Sequence, residues 1–303
     1  MERLESGASR QDLADARRRC QDIARRHYEN FPTASFLLPA RVRPAIAAIY
    51  AFARTADDFA DEPEHAGRRV ELIEGWRRQL DEAVAGRADS AVFIALSEAI
   101  RMFDLPVAEL HALLDAFHQD CLKPRYATFD EVQDYCTRSA NPVGRLVLAT
   151  HDIRDAASIA ASDAICTGLQ LTNFWQDVAI DLEKDRIYLP AEDLARFGVA
   201  EADLFARHAA PAFRRLLAFE VERTRAVFAK GWPLASGMQG RLGLWLRLVW
   251  AGGHGILDRI ERAEHDVFTK RPKLGKLDWL SVAVPALFGQ TRPGPLQVPR
   301  SAA

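Results

Sequence analysis

The chain of 303 residues is long enough for one large or two ordinary domains, and at 49% hydrophobic and 27% charged it has ample material for a core. Lys and Arg number 40 against 42 Asp and Glu, a formal charge of -2, which argues against nucleic acid as a partner. Cys20, Cys121, Cys136 and Cys166 show no C-x-x-C spacing, so they read as reduced thiols of a cytoplasmic protein rather than as a disulfide framework.

Taken in order, nearly every segment has helical periodicity. The opening MERLESGASRQDLADARRRC is too charged for a signal peptide or an anchor. A helix is predicted over residues 10–29, ending at the turn-like Asn30-Phe31-Pro32. Phe36-Leu37-Leu38-Pro39 leads into a second helix, which tolerates Pro44 near its first turn and stops at Pro63. Three more follow at 66–85, 89–103 and 106–122, with Gly86, Asp104 and Pro106 in the connections. Residues 129–151 have a helical pattern broken by Asn141-Pro142 and Gly144; proline removes a backbone hydrogen bond, so the break either opens space beside a pocket or simply ends a helix.

A long central helix is predicted over 156–184, short ones over 191–208, and further long ones over 210–230, 234–249 and 251–268, the last following Gly252-Gly253. The apolar run from Leu242 to Leu257 is interrupted by Arg247 and His254 and is too short and polar to span a bilayer. KRPKLGK, residues 270–276, is a basic cluster, and the closing PGPLQVPRSAA has the composition of a flexible tail. No strand-like alternation or fixed-period repeat is present, so the expectation is one all-α domain over residues 1–284 with a tail over 285–303.

Two of these helices share an unusual feature. In IAAIYAFARTADDFADE, residues 46–62, Asp57 and Asp61 lie four apart on an apolar helix; Asp177 and Asp181 repeat the pattern in LQLTNFWQDVAIDLEK, residues 169–184. The members of each pair differ by only about 40° around the helix axis. Tyr50 and Arg54 share the first acidic face, with Asp58 more peripheral, while Gln170, Asn173 and Lys184 share the second. Like charges at this spacing cost a helix about 0.2–0.5 kcal/mol. A solvated face is the usual explanation for one such pair. Two of them suggest carboxylates facing each other across a cavity, an oxygen-only donor set suited to Mg²⁺.

Opposed carboxylates around Mg²⁺, with an adjacent Arg, make a clamp for a diphosphate whose departure leaves a carbocation. Apolar and aromatic walls stabilise such a cation and delay its quenching by water. Phe52, Phe59, Tyr135, Phe174 and Trp175 are the expected lining, with ordinary core packing as the competing account of each.

YAFARTADDFADE and QLTNFWQDVAIDLEKDRIYLP resemble the two aspartate-rich signatures of the squalene and phytoene synthase family. Their separation, the broken helix with YCTRSANPVG and the preceding LLPA extend the resemblance over about residues 28–275. NFPTASFLLPARVRP, SANPVGRL and NFWQDVAID together look most like its hydroxysqualene-forming, hopanoid-pathway branch. The resemblance implies an all-helical isoprenoid-synthase bundle around a central cavity. By position Asp57, Asp61, Asn173, Asp177 and Asp181 would hold Mg²⁺, while Tyr50, Arg54 and Gln170 would touch diphosphate or its waters. Tyr135 would lie beside the reacting carbons, and Arg186 would help close the site or be an ordinary surface residue. Two departures stand out: Gln176 where condensing members commonly carry Arg, and Gly253 near the place of a Tyr. Both favour one diphosphate over two.

The expected reaction is therefore ionisation of presqualene diphosphate, rearrangement and capture by water to give hydroxysqualene. Head-to-head condensation of two farnesyl or other prenyl diphosphates to presqualene diphosphate, squalene or phytoene is the alternative. A di-iron carboxylate bundle would need two E-x-x-H elements, and only Glu62 to His65 has that spacing. A non-enzymatic scaffold would leave both acidic stripes unexplained. So hydrophobic a substrate suggests peripheral membrane contact, through residues 241–250 or 270–276, and pathway partner enzymes; packing and solvation compete as explanations of both segments.

Overall fold

The computed structural model describes residues 9–26, 37–275 and 278, and among these the regular elements are all helical. Leu13, Ala16 and Cys20, at helical spacing, form the buried stripe of α1 (Arg10–Arg26). The first acidic stripe lies on α2 (Arg43–Asp61), which carries proline in its first turn, where no backbone donor is lost. Then come α3 (Arg69–Val84), α4 (Ala91–Phe103), ended by Asp104 in the left-handed conformation, and α5 (Val107–Asp120). The tail expected over 285–303, and the end of the domain at 284, lie outside the described residues.

The predicted break after residue 139 is present. Thr128 caps α6 (Phe129–Ser139), the chain turns at Ala140, and Pro142 sits in the first turn of α7 (Asn141–Ala149). The second acidic stripe lies on the central α8 (Ala156–Asp181), capped by Asp155 and followed by a short 3-10 turn over Leu182–Lys184. Two short helices, α9 (Ala191–Phe197) and α10 (Glu201–Phe205), lead to α11 (Pro211–Gly237) and α12 (Gly240–Arg262).

These last two correct the sequence reading, which divided the same stretch into three helices. Pro233 lies inside α11 and Gly252-Gly253 inside α12, and neither ends its helix. Packing overrides propensity at both places. Phe228, Gly231, Leu234 and Ala235 continue one buried face past Pro233, and Val249, Trp250, Ala251 and Leu257 do so across the glycines.

Two apolar cores result. One gathers around α2, α3 and α4, with Phe52, Trp76 and Phe93 in mutual ring contact. The other surrounds α8, α11 and α12 and includes Trp175, Phe213, Phe228 and Trp250. Between α2 in the first and α8 in the second lies a cavity of about 910 Å³.

Candidate active site

Both acidic stripes line this cavity: Asp57 and Asp61 from α2, Asp177 and Asp181 from α8. Tyr50, Arg54, Gln170 and Asn173 line it on the same two helices, and Tyr135 enters from α6. Every residue singled out as a metal, diphosphate or catalytic group therefore reaches one space. The aromatic lining is smaller than expected. Phe52 is fully buried against Trp76 and Phe93, and Phe59 packs on Trp76 and His65. Trp175 is also fully buried, donating its indole N–H to Thr224 at 2.7 Å. Phe174 and Tyr135 do face the cavity, joined by Tyr188, whose ring stacks on Phe174 at 3.8 Å.

The electrostatics are uneven. Arg54 reaches Asp57 at 2.9 Å and Asp58 at 2.5 Å, so Asp58 is a local counter-charge to the arginine. Asp61 receives Lys184 at 2.5 Å and Arg186 at 2.6 Å; these cations outweigh burial and hold its carboxyl below the usual range. Arg186 is thus a site residue and not an ordinary surface arginine. Asp57 is pushed upward by burial and then by Asp61, and Asp181 far upward by burial and then by Asp177. Among the described residues no side chain pairs with Asp181 directly.

The sequence reading missed the C-terminal contribution. Arg271 forks onto both carboxylate oxygens of Asp177, and Lys273 also lines the cavity. Gln176 is buried, and its amide donates to the carbonyl of Pro272. Gln176 stands where condensing members commonly carry Arg, yet a guanidinium is present beside it: Gln176 anchors the backbone next to Arg271, which reaches Asp177. The basic cluster faces the cavity at Arg271 and Lys273. Residues 241–250 lose their case as a lipid-facing surface, because Leu242, Trp245, Leu246, Val249 and Trp250 are all buried in the core.

Asp120 was also missed. It lines the cavity from the end of α5, accepting hydrogen bonds from Tyr135 at 2.5 Å and Tyr188 at 3.1 Å. A signal existed: Leu113, Phe117 and Asp120 follow the helical i, i+4, i+7 spacing, placing a carboxylate on an apolar stripe. Arg186 and Tyr188 reach the site because Ile187 N–H bonds to the Pro124 carbonyl, an isolated bridge that pins the chain after the 3-10 turn.

Gly253 packs into the wall. A side-chain carbon there would lie 2.5 Å from the Phe228 ring and 3.0 Å from Leu169. Gly253→Tyr is therefore expected to lose about 1–3 kcal/mol by overpacking, measured by urea unfolding. Unchanged stability would mean that Phe228 yields.

The donor set fits Mg²⁺. The nearby groups are carboxylates and an amide, and Asp181 is destabilised in its charged form with no cation bound directly to it among the described residues. No three His, Cys, Asp or Glu side chains among the described residues form a cage for an ion. Mg²⁺ needs none, since one or two carboxylates, waters and substrate phosphates complete its octahedron.

An all-helical bundle with two acidic helices facing across a deep cavity defines an isoprenoid-synthase architecture, and the chain belongs to the squalene/phytoene synthase family, whose pattern matches residues 24–278. It is 33% identical to 15-cis-phytoene synthase of Synechocystis sp., over 87% of this chain and 83% of that one. It is also 33% identical to hydroxysqualene synthase of Rhodopseudomonas palustris, over 86% and 89%. Among solved structures, squalene synthase HpnC from Alicyclobacillus acidocaldarius superposes with a TM-score of 0.79 at 38% identity, covering 87% of this chain and 99% of that one. A dehydrosqualene synthase structure gives 0.83 at 22% identity, over 92% and 97%, a likeness of fold. No helix among the described residues is long and apolar enough to cross a membrane.

Proposed function

We propose that the chain ionises presqualene diphosphate and directs the resulting cation, through rearrangement and capture by water, to hydroxysqualene. The observation that carries the ionisation is the convergence of Asp57, Asp61, Asp177 and Asp181 on one cavity, with Arg54, Lys184, Arg186 and Arg271 around them. Asp57, Asp61, Asn173, Asp177 and Asp181 would hold Mg²⁺, which would supply positive charge to neutralise the departing diphosphate. Arg54, Tyr50 and Gln170 orient the diphosphate from the walls. Lys184 and Arg186 are paired with Asp61 and Arg271 with Asp177, which places three cations at the cavity where a diphosphate would be held. Tyr135, Phe174 and Tyr188 present ring faces to the hydrocarbon and keep water from the first cation formed.

The 38% identity to HpnC and the likeness to the Rhodopseudomonas palustris enzyme support the hydroxysqualene branch. Several phytoene synthases, the Synechocystis enzyme among them, support head-to-head condensation as the second reading. Offering the purified protein Mg²⁺ with either presqualene diphosphate or farnesyl diphosphate separates the two. Hydroxysqualene from presqualene diphosphate, with farnesyl diphosphate left intact, is the expected result by mass spectrometry. Turnover of farnesyl diphosphate alone would overturn it.

A further inference from the structure

Asp120 belongs to neither acidic stripe. It stands on the cavity wall with one phenol hydroxyl donated to each of its oxygens, Tyr135 at 2.5 Å and Tyr188 at 3.1 Å. Those two rings, with Phe174, form the aromatic surface beside it. Two neutral donors on both oxygens hold an anion in place while leaving its remaining lone pairs for a further donor. Arg186, bound to Asp61, is the cation that acts most strongly on it. The carboxylate thus has two aromatic rings hydrogen-bonded to it and feels the charges of Arg186 and Asp61.

We propose that Asp120 is the proton acceptor of the terminating step, taking the proton released when water bonds to the substrate cation. The inference rests on the hydroxysqualene reading above. A lone pair of the water oxygen forms the new C–O bond, one O–H bond of the resulting oxonium breaks, and its electron pair stays on the alcohol oxygen. The proton ends on Asp120, and no oxidant or reductant takes part. Without an acceptor the oxonium returns its water, and the cation partitions to elimination and other rearranged products.

The groups around Asp120 suit this task. Burial, the largest influence, raises its carboxyl to about 6, while Arg186 and the hydrogen bonds from Tyr135 and Tyr188 hold it from rising further, and Asp61 acts upward. Asp120 is accordingly ionised at neutral pH and protonated in mild acid. Burial, then the charge of Asp120, pushes Tyr126, Tyr135 and Tyr188 upward, so all three remain neutral. Asp57 lines the same cavity and feels the charge of Asp120 more weakly than its own burial, Asp61 and Arg54.

The test measures two quantities between about pH 5 and 8.5, a window that brackets the Asp120 titration, from presqualene diphosphate with Mg²⁺: diphosphate released, and hydroxysqualene formed. In the wild type their ratio should be near unity at neutral and alkaline pH and fall in acid. Asp120→Asn should still release diphosphate but lower that ratio by about 10²-fold, the low end for a positioned proton acceptor, and lose the acid limb. Asp120→Glu should restore part of the ratio. Tyr188→Phe removes a hydrogen bond to the charged form and should move the acid limb to higher pH. Thermal unfolding of each variant checks its fold; if Asp120→Asn does not fold, an unchanged ratio and limb in both Asp120→Glu and Tyr188→Phe overturn the proposal. A folded Asp120→Asn with wild-type ratio and pH profile overturns it while leaving the reading of function intact. Wild-type protein that makes no hydroxysqualene overturns that reading, and the proposal with it.

Discussion

Asp57→Asn and Asp181→Asn should each lower Mg²⁺-dependent diphosphate release by about 10²–10³-fold, while the ligand-free protein keeps or gains stability. The two halves of this expectation come from the same carboxylates. Asp57 and Asp181 are both driven toward the neutral form by burial and by a like charge four residues away. In the free protein each charge is a cost, and an i,i+4 repulsion alone is worth about 0.2–0.5 kcal/mol. Asparagine keeps the shape and removes the repulsion, so thermal unfolding should shift upward by about 1 °C or not at all. When substrate and metal arrive, the same charges are the donors that hold them, and asparagine is a poor replacement. A purely structural role predicts the reverse pattern, with stability lost and activity reduced in proportion. Calorimetry and a diphosphate-release assay on the same preparations distinguish the two. Asp61 is the wrong site for this experiment, because its neutralisation strands Lys184 and Arg186.

Glu220→Gln should be more stable than the wild type in mild alkali, by about 3 kcal/mol. Glu220 on α11 is fully buried, and neither carboxyl oxygen meets a hydrogen-bond donor. Arg223 approaches no nearer than 3.8 Å, being directed at Asp193 at 2.8 Å and stacked over Phe129 and Phe219. Burial raises the Glu220 carboxyl from 4.5 to about 8, Arg223 opposes, and Asp193 reinforces the rise. Between these two values the folded chain keeps a proton that the unfolded chain has lost. Stability contributed by the neutral acid is therefore complete in acid and declines as pH rises toward about 8. Each tenfold gain in proton affinity on folding is worth about 1.4 kcal/mol. Reduced for relaxation of the buried site, the difference between glutamine and glutamate approaches the stated figure. Urea unfolding on either side of that range, at about pH 4 and about pH 9, measures it; equal stability gaps at both would mean that Glu220 carries its charge in the folded state.

The acidic stripes were legible because helical periodicity is local. Four residues return a side chain to nearly the same face, so Tyr50, Arg54, Asp57 and Asp61 form one row wherever that helix packs. The same arithmetic gave Gln170, Asn173, Asp177 and Asp181, and proline chemistry gave the break between Ser139 and Asn141. It misassigned Phe52, Phe59 and Trp175, since a wheel orders the faces of a helix without saying which face meets a neighbour and which meets a void. It also ended helices at 230 and 249, short of Pro233 and Gly252, where α8 and the Phe228 ring hold the chain helical.

Local patterning alone was enough for the helical class, the two carboxylate rows and the types of residue that accompany them. Long-range packing was needed to bring Asp120, Tyr188, Arg186 and Arg271 to the same cavity. Arg271 meets Asp177 across 94 positions of chain, and Arg186 meets Asp61 across 125. Periodicity carries no information over such separations. Those contacts follow from which apolar faces were buried together, and from the Gln176 and Ile187 hydrogen bonds that fix the connecting segments.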